Sequence, residues 1–113
     1  MWWTFIGLLG EALLDCAPIE LVLSHPADRP GLTFRITGVP GMEGQFSWRD
    51  QYPDAYVIGE LQVQREGYAL HTATQAFAFS DELLVEYALG GHCLLTQLAQ
   101  EVAAWVLCES GLE

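Results

Sequence analysis

Gly90-Gly91-His92-Cys93 is the stretch whose residue types and spacing come nearest to covalent chemistry. A cysteine in the first turn of a helix meets the positive end of the helix dipole, which favours thiolate. His92 or His71 would then be the base that a cysteine nucleophile needs. His92, however, is the immediate neighbour of Cys93, and adjacent helical residues point about 100° apart. The alternative is a small packed thiol beside a surface histidine, the ordinary situation for a free cysteine. A cysteine-dependent enzyme or small-ligand domain centred on Cys93 is therefore one reading, with no catalytic set assembled in sequence. Its ligand cavity would be lined by Phe34, Phe46, Trp48, Phe77 and Phe79.

Other chemistry finds less support. The three histidines and Cys16, Cys93 and Cys108 show no His-x-x-x-His or Cys-x-x-Cys spacing, so no metal or cofactor is expected. The glycines from Gly38 to Gly44 do not make a phosphate loop, because lysine is missing and Glu43 stands where phosphate would sit. Paired carboxylates perform general acid–base work when burial splits their affinities for protons. Here the acids fall on polar faces and in turns, where solvation is the rule.

Charge is the strongest signal. Fifteen acids face four arginines and no lysine, for a net charge of −11. Such a chain repels nucleic-acid phosphate and anionic lipid, so neither is an expected partner. A basic protein is its natural complement, although net charge also serves solubility. The acids are scattered, with Asp81-Glu82 the only adjacent pair, which disfavours mimicry of DNA by clustered carboxylates. Two contact sets are expected. One is Glu60, Gln62 and Gln64 on the outward side of a strand; the other is Asp81, Glu82 and Glu86 at a helix start. The leading reading is a non-enzymatic acidic binding protein of the inhibitor, immunity-protein or antitoxin type. A small secretion chaperone or assembly subunit is the alternative, by likeness of composition only. It would act as a homodimer through Trp2, Trp3 and the first helix.

The elements that must position these residues are legible in the hydropathy pattern. Over residues 91–108, Leu94, Leu98, Val102 and Trp105 recur at helical spacing, with Leu95 and Val106 widening the stripe. At ~1.5 Å per residue such a helix spans roughly 27 Å, enough for a sheet to pack along it. Residues 4–16 predict a second helix, stopped by Pro18 and weakened by Gly7 and Gly10 at about 1 kcal/mol each. Strands are expected at residues 19–25, 32–39, 45–49, 56–64 and 68–79 from alternating apolar positions. The last changes phase between Leu70 and Phe77, and a bulge near Ala73 would reconcile its halves. Residues 81–89 predict a helix capped by Ser80; the rival is a strand, because Leu83, Val85, Tyr87 and Leu89 also alternate.

The expected fold is α+β: an antiparallel sheet of about five strands, with an N-terminal and a long C-terminal helix packed on one face. A single domain, residues 1–113, is expected, and 51% hydrophobic residues suffice for its core. An odd cysteine count without framework spacing suggests reduced thiols and a cytoplasmic location. The apolar N-terminal stretch lacks the basic region of a signal peptide, and Glu11 and Asp15 interrupt it as a membrane span. Asp15 also replaces the small residue that a lipoprotein box requires before Cys16.

Overall fold

The structure, a computed structural model, describes residues 2–16, 19–22, 31–38, 40–51 and 56–111. The Trp2 side chain, the expected helix stop at Pro18, the strand ends at residues 23–25 and 39, and the loops at 26–30 and 52–55 lie outside that description. The elements run α1 (Trp2–Cys16), β1 (Ile19–Val22), β2 (Gly31–Ile36), β3 (Met42–Gln51), β4 (Tyr56–Arg65), β5 (Tyr68–Ala78), α2 (Asp81–Ala88) and α3 (Cys93–Glu109). The strands form one antiparallel meander in chain order. The fold is thus α+β, with α1 and α3 side by side on one face of the sheet.

Alternation along the strands decides which face that is. Leu32 pairs with Phe46, Phe46 with Leu61, and Phe34 with Gly44, so these side chains line one side. They bury against Phe5, Leu9 and Leu13 of α1 and Leu95, Val102 and Val106 of α3. At the centre, Trp48 lies 4.7 Å from Phe5, 5.9 Å from Phe46 and 5.8 Å from Phe77, ring centre to ring centre. Trp105 meets Phe46 and Phe77 edge-on. Phe46, Trp48 and Phe77, three of the aromatics expected to line a ligand cavity, therefore pack on one another and on Phe5 and Trp105. Each such side chain contributes about 1.5–3 kcal/mol by leaving water.

Glycine makes one of these contacts possible. A Cβ on Gly44 would stand 2.1 Å from Cζ of Phe34, so the Phe34 ring lies directly over bare backbone. At the β4–β5 turn, Glu66 and Gly67 both take positive φ, 51° and 86°, as a two-residue turn matched to strand twist requires.

Two details depart from the sequence pattern. The β5 bulge falls at Leu70, because Ala69 pairs with Gln64 and His71 with Val63; it lies three residues before the expected position at Ala73. The helix α3 buries Leu95, Leu98, Ala99 and Val102, while Leu94 and Trp105 are only half-buried. It packs on α1 as well as on the sheet, which turns its buried arc away from the Leu94 side. The helix expected at residues 81–89 is present over residues 81–88, and only Leu83 of the alternating apolar set is buried there. Among the described residues, no helix is long and apolar enough to cross a membrane.

Candidate functional site

The corner between α2 and α3 is built from local rules. Ser80, extended at φ −80° and ψ 154°, caps α2 by accepting the Leu83 amide at 3.3 Å. At the other end Gly90 takes φ 90°. Its amide donates to the Tyr87 carbonyl at 3.0 Å, and that of Gly91 donates to the Glu86 carbonyl at 3.0 Å. This double closure is a Schellman motif, which satisfies carbonyls at a helix end.

The start of α3 lacks a side-chain cap of its own, since His92 occupies the N-cap position without such a bond. Glu86 supplies one from the neighbouring helix: its Oε1 accepts the Leu94 amide at 2.7 Å. A carboxylate at a helix N-terminus is favoured by both the orphan amide and the dipole. Glu86 is thereby an internal clamp between α2 and α3. The hydroxyls of Thr4 and Tyr87, 3.2 Å apart, tie the same corner to α1.

Apolar side chains stand outside this corner. Val85 is 59% exposed and Leu89 83% exposed. With Leu94 they floor an open groove of about 650 Å³ that Asp81 and Glu82 rim. A second groove, about 410 Å³, runs between α1 and α3 over Ala12, Ala103, Ala104 and Leu107, with Asp15 at its edge.

Charge divides unevenly between the layers. The helices carry Glu11, Asp15, Asp81, Glu82, Glu86, Glu101 and Glu109, and neither lysine nor arginine. The strands carry Glu20, Glu43, Asp50 and Glu60 against Arg35, Arg49 and Arg65. On the outward sheet face, Gln45 pairs with Gln62, Gln62 with Thr72, and Glu60 with Thr74. Arg35 Nε lies 3.5 Å from Glu43 Oε1 on the same face. That face is mostly amide and hydroxyl.

The two expected contact sets therefore sit on different sides. Glu60, Gln62 and Gln64 alternate with the buried Leu61 and Val63 and point away from the helices. Asp81 and Glu82 are exposed on α2, which packs against α3. Sequence reasoning missed the clamp role of Glu86. Its signal was the absence of Ser, Thr, Asp or Asn before Cys93, which requires a cap from elsewhere.

The structure does not bring His71 to Cys93. Cys93 is exposed at the first residue of α3. His71 Nε2 lies 2.6 Å from Oε2 of Glu109, the last residue of the same seventeen-residue helix. At ~1.5 Å rise per residue the two ends are roughly 24 Å apart. Neither residue lines the two grooves above. His71 instead ties the edge strand β5 to the end of α3. No known protein family, no characterised protein and no solved structure matches the chain.

Proposed function

We propose that this chain is a non-enzymatic acidic binding protein, of the inhibitor, immunity-protein or antitoxin type, whose helical layer covers a basic protein surface. The observation that supports this reading is the charge layout: exposed Glu11, Asp15, Asp81, Glu82 and Glu101 lie on three helices that, among the described residues, carry no lysine or arginine. A field of one sign steers an oppositely charged partner and speeds encounter. The test is carboxylate labelling of the complex with a basic partner captured from the native host at low salt. Protection of Asp81, Glu82 and Asp15, with Glu43 and Glu60 still reactive, is the expected result. Protection confined to Glu43 and Glu60 would refute the helical assignment.

A second reading, a dimeric secretion chaperone or assembly subunit, draws on α1. Trp3 is 57% and Leu14 49% exposed, and eleven residues, about three turns, set them on one side of the helix. Removing residues 1–17 would also remove Phe5, Leu9 and Leu13 from the core, so point variants test this better. A Trp3→Ser, Leu14→Ser protein should sediment as a monomer if the native chain is a dimer through this helix. An unchanged dimer would reject α1 as its contact.

A further inference from the structure

We infer that the groove between α2 and the start of α3 is a docking site for an amphipathic basic helix of a partner protein. This rests on the acidic-binding reading and names the place and the chemistry. Leu89, the C-cap of α2, follows Val85 by four residues, one turn, and so lies on the same side of that helix. Neither contributes to the core. Together with Leu94 they form an apolar strip open to water, and exposed apolar strips with polar rims mark interaction surfaces.

The rim selects the occupant. Asp81 and Glu82 are the carboxylates beside the floor that are exposed, since Glu86 is engaged by the Leu94 amide. An apolar strip flanked by acids fits a helix with leucine-like anchors at i and i+4 and lysine or arginine beside them. An acidic or purely apolar helix would leave those carboxylates repelled or unpaired. With net charge −11, a second copy of this chain is electrostatically the poorer occupant.

The groove is also preformed. The Schellman closure at Gly90 and Gly91 and the Glu86 bond to Leu94 hold the α2–α3 angle in the unbound chain. Binding then needs little further ordering of this corner, which favours affinity.

The experiment uses the full chain and a labelled 18-residue amphipathic peptide of leucine and lysine, followed by fluorescence anisotropy. A peptide of the same composition in scrambled order and a leucine–glutamate peptide are the comparisons. The Val85→Ser, Leu89→Ser protein should bind the leucine–lysine peptide roughly tenfold more weakly while keeping its circular dichroism spectrum. The Asp81→Asn, Glu82→Gln protein should lose roughly threefold or more at low salt and show a flatter salt dependence. A Leu70→Ser protein, altered on the β5 edge, should bind like the native chain. Equal binding by the native and Val85→Ser, Leu89→Ser proteins overturns the groove. If the rim variant still weakens binding in that case, the acidic reading survives without it. If rim and floor variants both bind normally, or the glutamate or scrambled peptide binds as well as the ordered basic one, both ideas fall.

Discussion

The sheet and the helical layer differ in the side chains they present. The outward sheet face sets Thr33, Gln45, Gln62 and Thr72 on neighbouring strands beside Glu60 and the paired Arg35 and Glu43, a mixture of amides, hydroxyls and charges of both signs. Among the described residues, the three helices bear seven carboxylates and no lysine or arginine, together with two apolar grooves. The contrast teaches that a net charge says little about where a protein is touched. Packing does, because α1, α2 and α3 collect acids that lie far apart in the chain.

The largest effects should come from inside the sheet. Trp48→Ala removes the ring that meets Phe5, Phe46 and Phe77 and should cost about 3–5 kcal/mol by urea denaturation. Gln45→Ala, on the same strand but facing out, should stay within about 0.5 kcal/mol. A comparable loss at both would contradict the assignment of inner and outer faces. Gly44→Ala comes next: its methyl would meet the Phe34 ring, and overpacking of this kind costs about 1–3 kcal/mol.

Smaller effects should sort the acids of α2. Glu86→Ala removes the cap on the Leu94 amide and should cost about 1 kcal/mol in thermal or urea unfolding. Glu86→Gln keeps an acceptor oxygen and should cost less. Glu82→Ala, at an exposed position, should stay within about 0.5 kcal/mol. Identical losses at Glu82 and Glu86 would remove the distinction between contact acid and clamp. His71→Ala should change stability by less than about 1 kcal/mol, because its bond to Glu109 is half open to solvent.

Much of the fold was legible in the sequence. Strict alternation in Leu32-Phe34-Ile36, Phe46-Trp48 and Leu61-Val63 carried the sheet, and Ser80 with Gly90-Gly91 bracketed α2. The alternation of Leu83, Val85, Tyr87 and Leu89 misleads because most of that set is not buried: Val85 and Leu89 face water. The bulge at Leu70 is a matter of pairing register, which β5 alone does not encode. The candidate site was less legible. Asp81 and Glu82 stand out as an adjacent pair, but Glu11, Asp15 and Glu101 join their layer only once the helices lie together on one side of the sheet.

The most direct test compares two charge reversals of equal size. Asp81→Lys, Glu82→Lys and Glu43→Lys, Glu60→Lys each raise the net charge by the same amount, on opposite faces. Their association rates with the captured basic partner, measured in low and high salt, isolate position from total charge. The helical reversal should slow association roughly tenfold or more at low salt, with the difference shrinking as salt screens it, and the sheet reversal should leave the rate within about twofold of native. Equal slowing by both pairs, or a larger effect from the sheet, would contradict the claim that the helical layer is the surface a partner meets.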